Sequence, residues 1–330
     1  MELQALYPAK TILKVLCLAP CAALGFHFKK RPFPLYKSFA ISYLFILIYM
    51  MKKFLIPLAC LFLLTACGPM GTSTPNPSLP KDASVYAAEP LPDSHAELQA
   101  SIWYITHAAG EIDGMTGSNS LEALTQAYDA GCRYIEIDFQ FTADGDLACI
   151  HDWYRQYTSA VPEDGTALTL EQFQNCRIYD TYTPLWLDSL ADFMTAHPDL
   201  YIITDIKTDN PKAAAMIAER YPRLTDRFII QIYNGSEYDA VREAGFDHII
   251  YTLYMLDWNS KTDTKALREY AEGHPLLAYT FSYELCDIDG YVDEMLKTGI
   301  PLYVHTVNGD EQQLTYFEMG ISGIYTDELK

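Results

Sequence analysis

Residues 134–139 read Tyr-Ile-Glu-Ile-Asp-Phe, a strictly alternating pattern that points to one kind of fold. Successive side chains of a β-strand face opposite sides, so Glu136 and Asp138 share one face and the apolar side chains share the other. In a closed barrel the apolar face packs under helices and the opposite face points inward. The two carboxylates are therefore predicted to lie inside a barrel, near the C-terminal end of this strand.

Similar apolar runs recur along the chain, each followed by an amphipathic stretch. Strands are predicted at 102–107, 134–139, 201–206, 228–233, 248–253, 276–281, 302–306 and 323–326, and helices at 120–130, 211–220, 237–244, 265–272, 289–298 and 310–319. Eight alternating units predict an α/β fold, a TIM (β/α)8 barrel over residues 98–330. A doubly wound open sheet is the alternative. It is disfavoured because no glycine-rich phosphate loop follows the first strand.

Two features interrupt this regularity between the second and third strands. Asp144-Gly145 predicts a tight turn, with Leu147–His151 folding back as a β-hairpin extension after the second strand. Residues 152–200 then form a long, tyrosine-rich insertion before the third strand, with a helix predicted at 187–196. Long insertions at a barrel mouth commonly shape substrate access.

The third predicted strand adds Asp205 and Lys207 to the inward-facing charges. Like charges gathered away from water are costly unless a cation or protons compensate them, and one lysine cannot neutralise three carboxylates. Oxygen ligands favour a hard divalent ion, Mg²⁺ or Ca²⁺. A structural ion-pair network of the lysine with the carboxylates is the alternative.

His107 ends the first predicted strand and His151 ends the hairpin, so both can reach the same mouth. A lone strand-end histidine is usually a packed or solvated side chain. Two histidines beside a carboxylate cluster favour acid–base chemistry instead, because near neutral pH one imidazole can remove a proton while the other donates one.

The N-terminal part has the composition of an export signal. Residues 51–66 combine Lys52 and Lys53 with an apolar run, and the following Leu64-Thr65-Ala66-Cys67-Gly68 resembles a bacterial lipobox. The predictions are an upstream extension from a start codon placed too early (1–50), a lipoprotein signal peptide (51–66), and a lipidated Cys67 with a proline-rich tether (67–97). A transmembrane anchor is the alternative, but the apolar run is shorter than the about 20 residues needed. We expect an exported protein held by lipid on the extracytoplasmic face of the cell membrane.

The charge distribution limits the partners of the folded part. The chain carries −20 overall while residues 1–66 carry +7, which leaves −27 on residues 67–330. A folded part with this much negative charge repels the phosphate backbone of nucleic acids, so no nucleic-acid partner is expected. The oligomeric state is not predicted.

The ordered motifs resemble those of the glycerophosphodiester phosphodiesterases, a family of the phospholipase C-like barrel superfamily. The motifs are Thr106-His107-Ala108-Ala109-Gly110, Ser118-Asn119-Ser120, Glu136-Ile137-Asp138, Asp144-Gly145, His151-Asp152, Asp205-Ile206-Lys207, Thr306-Val307-Asn308 and Gly323-Ile324-Tyr325-Thr326-Asp327. The resemblance implies that His107 and His151 are the acid–base pair. It further implies that Glu136, Asp138 and Asp205 bind the metal ion, and that Lys207 and Asn119 bind substrate.

The family's activity implies a small-molecule phosphodiester as substrate, cleaved to an alcohol and glycerol 3-phosphate. In the implied route the glycerol 2-hydroxyl attacks phosphorus, and water then opens the cyclic phosphate. Departures from the family pattern are Ala108 in place of the usual arginine, Asp205 in place of glutamate, and His305 where tryptophan is common.

Two other functions are compatible with these residues. One is a phospholipase-type or cell-wall-polymer phosphodiesterase, since the tether would keep the domain near lipids and wall phosphates. The other is a non-catalytic binding lipoprotein on the same barrel, which the loss of the arginine favours. The presence of both histidines, three carboxylates and Lys207 in one chain argues for an enzyme.

Overall fold

A computed structural model describes residues 95–330, which build a closed barrel of eight parallel strands surrounded by helices. The predicted fold class is confirmed. The predictions for 1–50, for the signal peptide at 51–66 and for Cys67 lie outside the described residues, as does the tether up to residue 94.

The strands of the described part, in chain order, are β1 (Tyr104–Thr106), β2 (Tyr134–Asp138), β3 (Gln140–Phe141), β4 (Leu147–Cys149), β5 (Leu185–Trp186), β6 (Tyr201–Asp205), β7 (Phe228–Ile232), β8 (Ile249–Thr252), β9 (Ala278–Ser282), β10 (Leu302–His305) and β11 (Gly323–Thr326). The barrel order is β1, β2, β6, β7, β8, β9, β10, β11 and back to β1. Asp138 pairs in register with Asp205, and Thr106 with Thr326. Strand ends from distant parts of the chain therefore meet at one mouth.

The helices of the described part are α1 (His95–Ser101), α2 (Leu121–Asp129), α3 (Leu170–Gln174), α4 (Leu187–Ala196), α5 (Asn210–Arg220), α6 (Tyr238–Glu243), α7 (Trp258–Thr262), α8 (Thr264–Gly273), α9 (Tyr291–Leu296) and α10 (Asp310–Glu318). Ser120 caps α2 by accepting a hydrogen bond from the backbone N–H of Ala123. Between residues 95 and 330, no helix has both the length and the apolar character needed to cross a membrane.

Helix α1 closes the floor of the barrel. Leu98 and Ile102 are both about 1% exposed and pack with Ile105 and Tyr303 of the inner strand faces. Gln99 fixes the helix by donating to the carbonyl of Leu277 at 3.0 Å. The predicted tether boundary at residue 97 is therefore corrected, because residues 95–97 belong to a helix that buries apolar side chains at helical spacing.

A small second sheet is formed by residues that lie between β2 and β6 in the chain. Strands β3 and β4 pair antiparallel, and β5 adds a third strand, which the sequence did not predict. The β3–β4 turn contains Gly145 at φ 86°, and Thr142 donates to the carboxylate of Asp144 at 2.7 Å. Since β4 leads into His151, this sheet carries that histidine toward the barrel mouth.

The packing of α1 can be tested by truncating a floor side chain. We expect Ile102→Ala to lower the free energy of unfolding by about 2–4 kcal/mol, because the floor cannot collapse to fill the cavity. Leu314→Ala is the matched control, since Leu314 is 57% exposed and its loss should change stability by less than about 0.5 kcal/mol. Urea unfolding measures both, and equal effects would contradict the buried position of α1.

Candidate active site

Three carboxylates meet at the C-terminal ends of neighbouring strands. Glu136 and Asp138 project from β2, and Asp205 is the last residue of β6. One oxygen from each side chain lies within 4.8 Å of the corresponding oxygens of the other two. Parallel neighbours in register place these side chains at similar heights, so the structure brings the three predicted ligands together.

Glu136 is buried with only one of its oxygens satisfied. Its Oε2 accepts a hydrogen bond from the backbone N–H of Ala108 at 2.7 Å. Its Oε1 is buried and has no hydrogen-bond partner within residues 95–330. Burial raises the pKa of Glu136 well above its ordinary value, and the charge of Asp138 raises it further. The ionised form of Glu136 therefore needs a positive partner.

Asn119 holds Asp138 at two points. Its Nδ2 donates to Oδ2 of Asp138 at 2.9 Å, and its Oδ1 accepts from the backbone N–H of Asp138 at 3.0 Å. The amide is fully buried. Both polar ends of the Asn119 amide thus position a carboxylate, and its role in substrate binding stays a prediction.

Two tyrosines and a lysine surround Asp205. The hydroxyl of Tyr233 donates to Oδ1 of Asp205, and the hydroxyl of Tyr254 lies 3.2 Å from the same oxygen. Lys207 Nζ is 3.1 Å from Oδ2 of Asp205 and 3.3 Å from Oδ1 of Asp138. Burial raises the pKa of Asp205, and the charge of Asp138 adds to this rise.

Lys207 stays protonated in this setting. Burial lowers its pKa, but the carboxylates of Asp205 and Asp138 outweigh burial and raise the pKa to about 12. The Lys207 side chain is still 23% exposed, so the cluster does not enclose it completely. It supplies a single positive charge against three carboxylates.

His107 stands at the edge of the cluster, in the turn after β1. Its Nδ1 pairs with Oδ1 of Asp327 at 2.8 Å, and Asn308 donates to the other oxygen of that carboxylate at 2.7 Å. Burial lowers the pKa of His107, but the hydrogen bond to Asp327 and the charges of Glu136 and Asp138 outweigh burial and raise it to about 9. With Nδ1 occupied, Nε2 is the ring atom left to meet a ligand.

His151 is held in a similar way on the other wall. Its Nδ1 pairs with Oδ2 of the adjacent Asp152 at 2.7 Å, and its ring is 42% exposed. Its backbone carbonyl accepts a hydrogen bond from Gln140 of β3 at 2.8 Å. The small sheet therefore fixes the position of this histidine, and the carboxylate fixes its ring.

One cavity of about 530 Å³ connects the two histidines. Its lining residues near the barrel are His107, Asp138, His151, Thr306 and Asp327, and its outer lining comes from loop residues. The two predicted acid–base residues thus share a single space with one of the predicted metal ligands. A substrate in this cavity can contact all of them at once.

A smaller pocket of about 50 Å³ lies deeper, beside the cluster. It is bounded by Glu136, Asp205, Thr252, Tyr254 and His305, among others. Burial lowers the pKa of His305 to about 4, and the charge of His107 lowers it too. The imidazole of His305 is therefore neutral at neutral pH, and it lines the deep pocket.

Sequence reasoning assigned no role to Asp327, Tyr233 or Tyr254. Asp327 follows β11, and β11 pairs with β1, so barrel closure places it beside His107. Its position directly after the last strand was a usable signal, because all strand ends of a parallel barrel meet at one face. Tyr233 and Tyr254 follow β7 and β8 in the same way. Their hydroxyls meet Asp205 at the end of β6 because β6, β7 and β8 are consecutive strands of the barrel.

The Asp327 contact predicts a change in the titration of His107. Asp327→Asn should lower the pKa of His107 from about 9, since it removes the carboxylate that raises this pKa most. Histidine titration by NMR in the metal-free protein measures the effect. Asp310→Asn removes the same charge from a side chain that is 92% exposed and should leave the pKa unchanged. An unchanged pKa in Asp327→Asn would contradict the pairing.

A family model described as the glycerophosphoryl diester phosphodiesterase family matches residues 108–330, more than half of the chain. The chain belongs to this family. The resemblance drawn from the motifs is confirmed, and so is the expectation of a phosphodiesterase enzyme. Membership in the glycerophosphoryl diester phosphodiesterase family supports glycerophosphodiester hydrolysis as the reaction.

Solved structures of glycerophosphodiester phosphodiesterases share the barrel. One from Thermotoga maritima is 20% identical, with 69% of this chain and 95% of that chain covered and a TM-score of 0.56. One from Parabacteroides distasonis is 19% identical, with 68% and 92% covered and a TM-score of 0.54. A phosphodiesterase from Oleispira antarctica, in complex with the product sn-glycerol-3-phosphate, is 15% identical, with 69% and 93% covered and a TM-score of 0.54. At these identities the likeness shows the fold. No curated protein sequence matches the chain.

Proposed function

We propose that the protein hydrolyses glycerophosphodiesters to an alcohol and glycerol 3-phosphate, with a divalent ion, Ca²⁺ or Mg²⁺, at the carboxylate cluster and with His107 and His151 as the acid–base pair. The observation that carries the proposal is the single cavity in which both histidines stand beside that cluster. A binding protein would have no need of two carboxylate-held imidazoles facing one space.

The residues present fit a divalent ion. Glu136, Asp138 and Asp205 offer three oxygens within 4.8 Å of one another, and Oε1 of Glu136 is buried without a partner in the described chain. All-oxygen ligands suit Mg²⁺ and Ca²⁺, and the raised pKa values of Glu136 and Asp205 mark a site short of positive charge. When bound, such an ion would neutralise charge on the phosphate and acidify a nearby hydroxyl.

Each histidine would move protons at Nε2, because Nδ1 of His107 and of His151 is engaged by a carboxylate. One imidazole takes the proton from the attacking glycerol 2-hydroxyl, and the other gives a proton to the departing alcohol oxygen. In the second half of the reaction, water opens the cyclic phosphate and the roles reverse. The sum consumes one diester and one water and yields glycerol 3-phosphate and the alcohol.

Lys207 would bind the phosphate. Its ammonium group is protonated and contacts the carboxylates of Asp138 and Asp205, and its side chain is partly exposed. With a divalent ion neutralising the carboxylates, the lysine is available to pair with a phosphate oxygen. It also replaces in part the cationic contact that Ala108 cannot make.

The test uses the full-length protein in detergent, stripped of metal by a chelator. We expect glycerol 3-phosphate release from glycerophosphodiesters to return on titration with Ca²⁺ or Mg²⁺. Metal binding without turnover of any glycerophosphodiester would contradict the proposed reaction. Undiminished turnover after complete metal removal would contradict the role of the cluster.

We further propose that the enzyme acts outside the cytoplasmic membrane, held there by lipid on Cys67. Support comes from the charged and apolar segments of 51–66 and the lipobox-like residues around Cys67. Labelling cells with a radioactive fatty acid should mark the protein, and Cys67→Ser should abolish the label. A labelled Cys67→Ser variant would exclude this residue as the lipid site.

A further inference from the structure

The outer wall of the cavity is aromatic and belongs to the insertion between β4 and β5. Tyr157 and Tyr179 line it from this insertion, and Met115 and Gly117 line it from the loop after β1. None of these four residues takes part in the carboxylate cluster. The wall is therefore a separate part of the cavity, available to a part of the substrate that does not contain the phosphate.

The aromatic rings extend outward from His151. The ring centres of His151 and Tyr157 are 6.0 Å apart, and those of Tyr157 and Tyr179 are also 6.0 Å apart, with the two tyrosine planes inclined by 38°. Tyr157 is about 9% exposed. A substrate group bound beside His151 would thus lie next to two ring faces.

Part of this wall has a strained backbone that hydrogen bonds hold in place. Tyr179 has φ 49° and Asp180 has φ 54°, and a bulky aromatic residue is rarely found in this left-handed region. Three hydrogen bonds hold the loop there: Tyr179 N–H to the carbonyl of Tyr157 at 2.6 Å, the Tyr179 hydroxyl to the carbonyl of Thr116 at 2.7 Å, and Ser159 Oγ to Asp180 at 2.7 Å. These bonds fix the position of the Tyr179 ring on the cavity wall.

The charges around the wall favour a cation. The lining residues include Asp138 and Asp327, and within the described chain no lysine or arginine lines this cavity. Asp152 stands behind His151, and its Oδ1 is buried without a hydrogen-bond partner among residues 95–330. A second phosphate or a carboxylate on the alcohol part would lie beside ring faces and would find no lysine or arginine among these lining residues, which disfavours an anionic polymer as substrate.

We propose that Tyr157 and Tyr179 form the subsite for the alcohol part of the diester, and that this subsite selects a quaternary ammonium group, as in choline. This inference rests on the proposed hydrolysis of glycerophosphodiesters. Ring faces attract a quaternary ammonium group through the cation–π interaction. A primary ammonium group, as in ethanolamine, holds water more strongly and would need hydrogen-bond acceptors that ring faces do not replace.

The experiment compares kcat/KM for glycerophosphocholine, glycerophosphoethanolamine and glycerophosphoglycerol in the metal-loaded full-length protein. We expect the choline ester to be preferred. Tyr157→Ala should lower its kcat/KM by about tenfold, mainly through KM, and change the value for glycerophosphoglycerol by less than about twofold. Tyr157→Phe keeps the aromatic ring and should keep the preference for the choline ester. Tyr157→Leu keeps only apolar volume and should lose this preference. Tyr154→Ala, in the same insertion but 62% exposed, is the control and should match the parent.

A binding measurement separates the two proposals. The NMR signal of tetramethylammonium should broaden when the parent protein is added, because the ion binds to the protein. The Tyr157→Leu variant should not cause this broadening. Binding without turnover of any diester would uphold the subsite while contradicting hydrolysis. Turnover with equal kcat/KM for all three head groups, and no tetramethylammonium binding, would overturn the subsite while upholding hydrolysis.

Discussion

Alanine in place of His107 or His151 should lower kcat for glycerophosphodiester hydrolysis by about 10²–10⁴-fold, because each substitution would remove one of the two proposed proton-transfer groups from the cavity. We expect the fold to survive, since the two rings are 34% and 42% exposed and neither is part of the apolar core. Product release assays give kcat, and circular dichroism with thermal unfolding verifies the fold.

His274→Ala is the matched control for these two variants. His274 follows α8 and precedes β9, on the face of the barrel opposite the mouth, and its Nδ1 bonds the backbone carbonyl of Tyr270 at 2.7 Å. Its loss should leave kcat unchanged. Full activity in both His107→Ala and His151→Ala would refute the acid–base assignment, and loss in only one of them would leave that residue as the sole proton-transfer group.

Glu136→Gln should stabilise the metal-free protein and remove most of the stability that the parent gains when it binds a metal ion. In the metal-free state Glu136 must either be buried as a charge or take up a proton on folding, and because the substitution removes this cost we expect it to raise the free energy of unfolding by about 1–3 kcal/mol. The amide oxygen of the introduced glutamine can still accept the hydrogen bond that Ala108 N–H donates to Glu136. In the parent, an ion at 100 times its Kd should add about 2.7 kcal/mol of stability, and the variant should lose most of this gain. Thermal unfolding with and without Ca²⁺ or Mg²⁺ measures both changes.

The same site predicts how the stability of the metal-free protein depends on pH. The pKa of Glu136 is higher in the folded state than in the unfolded state, so the folded state binds the proton more tightly. Stability from this group is complete below the unfolded pKa and is lost as the pH rises through the higher folded pKa. Acidifying from about pH 7 toward about pH 5 should therefore narrow the stability difference between the parent and Glu136→Gln.

Glu163→Gln is the control for this pair of measurements, because Glu163 is 88% exposed and pairs with Arg155 at the surface. It should change neither the unfolding temperature nor the metal response. If Glu136→Gln behaves as this control does, the carboxylate cluster is not short of positive charge and the proposed ion site is wrong.

Local patterns in the sequence were sufficient to predict where the barrel strands lie. The run at 323–326 was predicted with its observed bounds, and that at 134–139 ends one residue beyond β2. Alternation in 134–139 also placed Glu136 and Asp138 on one inner face. These predictions succeed because strand periodicity depends on neighbours two residues apart, and burial acts on each strand in the same way.

The hydrogen-bond partners of the site residues could not be predicted from such local patterns. Asp327 meets His107 across 220 residues, because β11 closes the barrel against β1. Asn119 meets Asp138 through the path of a loop, and the tether boundary at residue 97 failed because α1 packs under the barrel floor. Side-chain hydrogen bonds of this kind depend on where loops run after the barrel has closed.

The sequence thus established an eight-stranded barrel with a ring of inward charge, since alternation and chain order are local properties. Tertiary structure was needed to learn how that charge is held: two imidazoles each fixed by a carboxylate, an acidic cluster partly satisfied by one lysine, and a strained tyrosine across the mouth. The physical reason is that the energy of a buried charge depends on every group around it, and those groups come from strands and loops that only closure brings together.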